Sequence, residues 1–325
     1  LVIKVKLHII RRNMKLKNIW IFNHYATNMF RDRGGRHYYF AKNLIERGYD
    51  VTIFCASTMH NSPESIDIGQ NKYIIDSVDG IKFVFVKTSN YVGNGKQRIK
   101  NMVNFYINLF PVSKVCAKLS GKPDIILASS VHPLTLVAGI KMSKKFHIPC
   151  ICEMRDLWPL TLIEMGAIKP NGLAAKIMYT GEKWIYKKAD SLIFTGEGEI
   201  EYIKDMKWDN VIDLSKIYYI NNGIDLISYN KNISEFQIKD DDLLDTSRFK
   251  VIYTGSIRPA NNVKRIVDCA DTIGKMGFAD KIIFLIYGDG TEKLNLEEYC
   301  TNNGIRNVIF KGKVDKNYIP YILSN

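Results

Sequence analysis

The sequence predicts an α/β protein made of two Rossmann-like units, each built on a parallel sheet. Short β-branched runs alternate with amphipathic segments of helix length over most of the 325 residues. The short runs are apolar almost throughout, which is typical of strands that helices cover on both faces. A polar and acidic segment, 226–249, interrupts the alternation, which then starts again. A chain of this length is expected to form about two domains.

The first unit is predicted to consist of strands joined by helices. Each strand candidate is a short run rich in β-branched and aromatic residues, and each helix candidate is longer and amphipathic. The strand candidates are 18–23, 50–55, 81–86, 124–128, 149–153 and 191–195. The helix candidates are 36–47, 97–120, 134–146, 173–188 and 197–206.

The second unit is predicted to be incomplete. It has only three strand candidates, far fewer than a self-standing doubly wound domain uses. We therefore expect a C-terminal truncation, or a partner half that lies elsewhere. The strand candidates are 250–254, 281–286 and 307–310, and the helix candidates are 260–275, 291–302 and a segment from about 315.

The expected domain boundaries follow from these patterns. Met14 stands just before the first strand candidate, and the chain does not begin with methionine. We expect 1–13 to be an extension outside the fold, 14–215 to form the N-terminal unit and 216–325 to form the partial C-terminal unit.

The composition is that of a soluble globular enzyme with an excess of basic residues. Hydrophobic residues make up 46% and charged residues 24%, and the formal net charge is +13. This charge favours polyanions or anionic lipid surfaces as partners without choosing between them. No apolar run approaches the roughly 20 residues that a membrane-spanning helix needs. Nucleic-acid binding is a weak alternative, because no helix-turn-helix, zinc-finger or RNP pattern occurs.

The six cysteines show no spacing that is typical of metal ligands. We expect buried free thiols in a reducing cytosol rather than disulfides or a zinc site. Cys150 and Cys152 are separated by one residue of a strand candidate, and we expect them to point to opposite faces.

A glycine pair in the first unit is a candidate phosphate site. Gly34 and Gly35 come just before the helix that starts near Arg36. Glycines let a ligand approach the backbone, and a helix N-terminus offers free N–H groups to phosphate. A plain flexible turn is the alternative. The loop lacks G-x-G-x-x-G, so a nicotinamide dinucleotide site is poorly supported.

Two loops of the second unit are candidates for nucleotide binding. Arg258 and Lys264 flank the start of the helix after strand 250–254, where two cations suit a diphosphate. Solvated surface charge is the alternative. Gly288, Asp289 and Gly290 repeat the strand, glycine and helix arrangement in the next loop, where a nucleotide could lie.

Three polar residues of the first unit follow strand ends, where open α/β sheets hold ligands. His132 comes after strand 124–128 and could accept a proton or hold a hydroxyl. Arg155 and Asp156 follow strand 149–153. The alternatives are a loop histidine without a role and a structural ion pair between Arg155 and Asp156.

The segment 98–119 mixes aromatic residues with Arg98, Lys100, Lys114 and Lys118. Packing in the core is the expected role of its apolar residues. Shallow docking on an anionic membrane is the alternative.

Five segments together resemble the family 4 glycosyltransferases, a retaining group with the GT-B fold of two Rossmann-like domains that face a cleft. The resemblance runs from about Lys17 to Asn325. Within that group, EMRDLWP is similar to the fucosamine transferases, which build bacterial capsule or O-antigen repeat units. The segments are GGRHYYFAKNLIERGYDVTIF (34–54), EMRDLWP (153–159), YINNGID (219–225), YTGSIRPANNVK (253–264) and IYGDG (286–290).

The resemblance implies roles for the candidate residues. Gly34 and Gly35 correspond to the loop that approaches the donor phosphates, and His132 to a histidine that contacts the transferred sugar. Arg258 and Lys264 correspond to the cations that neutralise the donor diphosphate. The charged pair at 155–156 lies near the acceptor side in that picture.

One feature of the family is absent from this sequence. The family carries two glutamates in an E-x7-E arrangement that hold the sugar and ribose of the donor, and no two glutamates here are so spaced. We expect the chain as given to bind the donor poorly or not at all.

The resemblance implies retaining transfer from a nucleotide diphosphate sugar, with UDP as the expected nucleotide, to a lipid-linked or saccharide acceptor. The expected location is cytoplasmic, with peripheral association at the inner face of the cell membrane as an option. No metal or other cofactor is expected. The alternatives are a UDP-sugar 2-epimerase of similar fold, which would need carboxylates for proton transfer, and an inactive fragment with a binding role.

Overall fold

The structure is a computed structural model that describes residues 18–325 except 60, 61, 63, 92, 94 and 131. The expected extension at 1–13 lies outside the described residues. The chain divides into two compact units between Gly223 and Ile224. The sequence boundary was expected at 215/216, whereas the strand Ile217–Tyr219 pairs with Ser191–Phe194 in the first unit.

The first unit is built on a sheet of eight strands in the order β3-β4-β2-β1-β5-β6-β7-β8. Every neighbouring pair is parallel except β3 with β4. The sheet is therefore mixed, with its antiparallel strand at one edge. The strands are β1 (Asn18–Phe22), β2 (Asp50–Ala56), β3 (Tyr73–Val78), β4 (Ile81–Val86), β5 (Ile125–Ser129), β6 (Cys150–Met154), β7 (Ser191–Phe194) and β8 (Ile217–Tyr219).

Helices cover both faces of this sheet. Alternate side chains of β1 point to opposite faces: Trp20 belongs to a core formed with α3, α4 and α6, while Ile21 belongs to a core that includes Tyr38 of α2. The strands are consequently apolar on both sides. The helices are α1 (Thr27–Asp32), α2 (Arg36–Glu46), α3 (Lys96–Ser120), α4 (Pro133–Phe146), α5 (Leu160–Glu164), α6 (Leu173–Lys188) and α7 (Glu199–Asp205).

The second unit has a parallel three-stranded sheet in the order β11-β10-β9. Apolar clusters lie on both of its faces, one with Val267 and Leu296 and the other with Leu243 and Ile322. The strands are β9 (Phe249–Thr254), β10 (Ile282–Tyr287) and β11 (Val308–Gly312). The helices are α8 (Leu226–Glu235), α9 (Asp241–Leu244), α10 (Lys264–Ile273), α11 (Lys293–Asn302) and α12 (Ile319–Ser324).

The predicted α/β class is confirmed, and two strands were missed. β3 carries exposed polar residues such as Asp76, and it contributes few buried side chains. β8 is only three residues long. The helix predicted from 260 begins at Lys264, because Pro259–Asn261 form a 3-10 turn and Asn262 adopts a positive φ of 46°.

The prediction for Cys150 and Cys152 was wrong. Residues two positions apart on a strand share a face, and the two Sγ atoms lie 3.9 Å apart in one buried cluster. All six cysteines are free thiols; five are buried, as expected, and Cys269 is exposed. None of the helices in the described ranges is long and apolar enough to cross a bilayer.

Candidate functional site

The carboxyl end of the first sheet gathers polar residues from three adjacent strands. β1, β5 and β6 are neighbours and parallel, so the residues at their ends meet along one edge. His24 follows β1, His132 follows β5, and Glu153 lies near the end of β6. All three side chains are buried, at 1% exposure or less.

Glu153 is held by three hydrogen bonds inside the first unit. Arg36 Nε donates to Oε1 at 2.8 Å, and His37 Nε2 donates to Oε2 at 2.8 Å. Ser129 Oγ, from the neighbouring strand, donates to Oε2 at 2.7 Å. Arg36 and His37 begin α2 directly after the glycine pair, so this carboxylate fixes the start of that helix to the sheet.

The hydrogen bonds orient the ring of His37. The amide of Asn23 is oriented by the backbone N–H of Tyr25, which donates to Asn23 Oδ1 at 3.1 Å. Asn23 Nδ2 therefore donates to His37 Nδ1 at 2.8 Å. The other ring nitrogen, Nε2, is thereby directed at Glu153.

Glu153 is an anchor rather than an acid or base. Burial alone would raise its pKa, but the hydrogen bond and charge of His37, the charge of Arg36 and the hydrogen bond from Ser129 lower the pKa to about 2. The carboxylate therefore stays ionised at neutral pH, and its side-chain hydrogen bonds go to donors of the protein itself.

Arg36 extends this anchor to the segment after β8. Its guanidinium donates to the carbonyl oxygens of Asn221, at 2.6 Å, and Ile220, at 2.7 Å. The Arg36 side chain as a whole is only 5% exposed. The sequence segments GGRH, EMRD and NNG, far apart in the chain, are joined by this one side chain.

His132 lies at the start of α4, against a second histidine. Its Nε2 is 2.6 Å from His24 Nδ1, and the His24 ring stacks on Phe105 with centroids 4.6 Å apart. Burial and the charge of Arg98 lower the pKa of His132 to about 3. The ring is therefore neutral near pH 7, where it can share a hydrogen bond but carries no positive charge.

Arg155 and Asp156 do not form the structural ion pair that was the alternative interpretation. Among the described residues, neither has a salt bridge to the other. The backbone N–H of Arg155 donates to Ser130 Oγ at 3.0 Å, and Asp156 is exposed. Asp156 borders a cavity of about 20 Å³, room for roughly one water. The cavity is also lined by Glu182, whose pKa burial raises to about 7.

The glycine pair lies at the N-terminal end of α2. Gly35 has φ 99° and lies at the N-terminal boundary of α2, a conformation that favours glycine. A Cβ on Gly35 would lie 3.2 Å from Met29 Cγ, whereas Gly34 has ordinary space around it. No side chain caps the first turn of α2, so its N–H groups stay open toward an anion.

The second unit has an open cleft of about 830 Å³ at the carboxyl ends of its strands. Arg258 and Asp289, from the loops after β9 and β10, line it. So do Lys313 and Lys316, which follow β11. Three cations and one carboxylate border the cleft on these loops, an arrangement that suits a doubly charged anion.

Lys264 does not line this cleft. Its Nζ is 2.6 Å from Asp268 Oδ1 and 4.4 Å from the centre of the Tyr299 ring. The hydrogen bond to Asp268 raises the pKa of Lys264. Sequence reasoning missed Lys313 and Lys316. Their place beyond the third parallel strand, shortly after Gly312 at the end of β11, is the signal that could have found them.

Gly288 and Gly290 allow two loops to touch. A Cβ on Gly288 would lie 1.8 Å from Gly255 O, and one on Gly290 would lie 2.2 Å from Ile257 O. The loops are joined by backbone bonds from Gly255 N to Tyr287 O at 3.0 Å and from Ile257 N to Asp289 O at 2.9 Å. These bonds fix the shape of the cleft wall that carries Arg258 and Asp289.

We predict that Gly288→Ala destabilises the second unit by about 3 kcal/mol, because the new methyl must push a backbone carbonyl away. Urea denaturation measures this. Gly181→Ala is the matched control: open space surrounds Gly181 on α6, and alanine there should leave stability unchanged or raise it by up to about 1 kcal/mol. Equal midpoints for Gly288→Ala and the parent would contradict the packing account.

No group of three or more His, Cys, Asp or Glu side chains that could hold a metal occurs in the described part of the chain. The expectation of a metal-independent reaction stays a prediction.

The fold is that of the GT-B glycosyltransferases. The chain itself belongs to Glycosyltransferase Family 4, whose profile matches residues 36–227, more than half of the sequence. This segment contains the Arg36–Glu153 anchor and His132, whereas His24 precedes it. A comparison with curated protein sequences found no similar protein.

Solved structures share the fold at low sequence identity. The catalytic domain of Arabidopsis thaliana starch synthase IV, bound to ADP and acarbose, has a TM-score of 0.59 at 13% identity, covering 95% of this chain and 76% of that one. Anabaena HepE in complex with UDP has a TM-score of 0.55 at 13% identity, covering 95% and 72%. A UDP-forming trehalose-phosphate synthase from Burkholderia xenovorans has a TM-score of 0.61 at 9% identity, covering 95% and 76%.

Proposed function

We propose that the protein transfers a sugar, with retention of configuration, from a UDP-sugar to a lipid-linked or saccharide acceptor in the synthesis of bacterial capsule or O-antigen. Membership of the glycosyltransferase family supports the reaction class. UDP is the proposed nucleotide because similar structures are complexes with UDP or UDP-glucose. The cytoplasmic face of the cell membrane is the proposed location, since a lipid-linked acceptor would be reached there.

The cleft of the second unit carries the donor part of the proposal. Arg258, Lys313 and Lys316 line it beside the single acidic side chain of Asp289. Negative charge grows on the diphosphate as it leaves the sugar, and fixed cations at that position stabilise the transition state more than the bound donor. A guanidinium can grip two phosphate oxygens at once, so Arg258 is the proposed main contact.

Lys264 remains a proposed donor contact on one condition. It must exchange Asp268 for a phosphate oxygen, since the two are now 2.6 Å apart. Both side chains are nearly half exposed, and an exposed ion pair of this kind contributes little to stability. Exchanging Asp268 for a phosphate oxygen therefore costs little free energy. Lys313 and Lys316 already border the cleft.

The first unit is the proposed acceptor side. Neutral His132 is proposed to share a hydrogen bond with a hydroxyl of the transferred sugar, and Arg155 with Asp156 is proposed to contact the acceptor. Gly34 and Gly35 are proposed to face donor phosphates through the open first turn of α2. Glu153, fixed in its ionised state, holds α2 and the end of β6 in register for these contacts.

The test is a transfer assay on the gene product that contains this chain. It is incubated with single UDP-sugars and membrane extract, and UDP release and product are followed. We expect UDP release that needs the acceptor, a product whose anomeric configuration by NMR equals that of the donor, and no loss of rate with EDTA. Inverted configuration would reject retention, and loss of rate with EDTA would reject metal independence.

Two other outcomes would replace the proposal. An epimerised free UDP-sugar formed without acceptor would make the protein an epimerase. UDP binding without transfer to any acceptor would leave it with a binding role only. The chain of residues 1–325 is assayed in parallel, because the E-x7-E glutamates that the family uses are absent from it.

A further inference from the structure

One side of α3 is apolar although it does not face the core. The inner side of the helix, with Phe105 and Leu109, packs on the sheet. Ile99, Val103 and Ile107 are exposed by 61%, 37% and 55%. Their spacing of four places them in one row along the outer side. Core packing, the expected role of the apolar residues of this segment, therefore holds for the inner side only.

Lysines lie along this row. Lys96, Lys100 and Lys114 are exposed and, at 100° per residue, fall within about 60° of Val103 around the helix axis. α3 contains no Asp or Glu among its 25 residues. We call Lys96, Ile99, Lys100, Val103, Ile107 and Lys114 together the α3 face.

The positive charge of this region continues onto the neighbouring helix. Lys145 of α4 lies close enough to Lys114 that hydrogen bonding and charge from Lys114 lower the pKa of Lys145. Two ammonium groups held together in this way repel each other. A polyanionic surface placed over them would relieve the repulsion.

The α3 face adjoins the acceptor edge of the first unit. Arg98, next to Ile99 in the chain, donates from Nε to the hydroxyl of Tyr25 at 2.9 Å. The charge of the same guanidinium acts on His132. The N-terminal end of α3 thus lies beside the strand ends where His24 and His132 meet.

We propose that the α3 face docks the protein on the surface of an anionic lipid bilayer, with Ile99, Val103 and Ile107 entering the interface and the lysines contacting lipid headgroups. The docking would present the His132 edge to a lipid-linked acceptor, and this last point rests on the proposed function. An RNA would take up the lysines but leave the row of apolar side chains in water. A second copy of the chain would set lysines against lysines.

Vesicle flotation tests the docking. The protein is mixed with vesicles of phosphatidylcholine alone, and with vesicles that also contain phosphatidylglycerol, in low salt. We expect binding only to the anionic vesicles and release by high salt. The two test variants are Ile99→Ser with Ile107→Ser, and Lys96→Gln with Lys100→Gln and Lys114→Gln.

Each variant should bind the anionic vesicles at least about 10-fold more weakly. Two matched control variants lie in the second unit and should bind like the parent. They are Leu294→Ser with Ile227→Ser, at positions exposed by 72% and 81%, and Lys231→Gln with Lys275→Gln and Lys281→Gln. Thermal melting of every variant confirms that it folds.

Several outcomes would overturn the docking. The parent could fail to float with anionic vesicles, or the α3 variants could bind like the controls. Binding to RNA that depends on the lysines alone, or a dimer by light scattering that the serine variant dissolves, would assign the face to another partner. UDP binding by NMR is measured on the gene product that contains this chain. Absence of UDP binding with vesicle binding intact counts against the proposed function only, and UDP binding without vesicle binding counts against the docking only.

Discussion

Replacing Glu153 by glutamine is expected to lower the stability of the protein by about 3–5 kcal/mol, because it leaves the buried guanidinium of Arg36 without its counter-ion. Glu153 is fully buried, and Arg36 is 5% exposed at this contact. Urea denaturation followed by the fluorescence of buried Trp20 measures the loss. Glu201→Gln is the matched control: Glu201 is exposed on α7, and its change should stay within about 0.5 kcal/mol.

The low pKa of Glu153 leads us to expect that the protein loses stability as the pH falls. This pKa is about 2 in the folded protein and ordinarily 4.5, so the unfolded chain takes up the proton first as the pH falls. The stabilisation is complete above the ordinary value and is lost between the two values, by about 3 kcal/mol. In Glu153→Gln this part of the acid response should be missing. An equal dependence on pH in the variant and the parent would show that the anchor contributes no stability.

Replacing Arg258 by alanine is expected to reduce sugar transfer by about 100- to 1000-fold, since it removes a fixed positive charge from the leaving diphosphate. The effect should fall mainly on kcat, because charge on the diphosphate grows in the transition state. The measurement is the rate of UDP release by the gene product with saturating donor.

Two comparisons define the role of this side chain. Arg258→Lys should restore part of the rate, because an ammonium supplies the charge but cannot bind two oxygens at once. Arg265→Ala is the matched control, an exposed arginine on α10 that does not line the cleft. A loss with Arg265→Ala as large as that with Arg258→Ala would point to general charge rather than to a built contact.

Much of the fold could be predicted because apolar strands and amphipathic helices have different periods. The edge strand β3 was missed because one of its faces is exposed and polar residues interrupt the pattern. The short β8 was missed because it is defined by its pairing with β7 in the folded protein, and no local sequence pattern marks it. Helix α8, within the segment that seemed to break the α/β rhythm, exposes apolar residues such as Ile227 and so lacks the pattern of a buried face.

The sequence predicted which strand ends carry the candidate sites, but not the buried hydrogen bonds that hold those sites together. Strand ends pointed to His132 and Arg258, since parallel strands place their carboxyl ends together. Glu153, in contrast, could not be assigned a role from the EMRDLWP segment, because nothing local shows that Arg36 and His37 reach it from 117 and 116 positions away. A carboxylate inside a buried strand was the available signal, since a buried charge requires a partner.

The glycines illustrate the same limit. Gly288 and Gly290 were assigned to ligand approach, and the structure gives them a reason that needs no ligand, the contact of two loops. The sequence shows that a side chain is absent but not which atom occupies its place. Lys264 was paired with Arg258 because both flank the start of one helix and because of the family resemblance. Its partner Asp268, one helical turn away, takes the side chain away from the cleft.

A crystal structure of the gene product that contains this chain, soaked with UDP, tests the central claim most directly. We predict the diphosphate in the cleft of the second unit, with phosphate oxygens within hydrogen-bond distance of Arg258 and of Lys313 or Lys316. The loops around Gly255 and Gly288 should keep their present backbone contacts. UDP bound elsewhere on the chain, or in this cleft with its phosphates turned away from all three cations, would contradict the account.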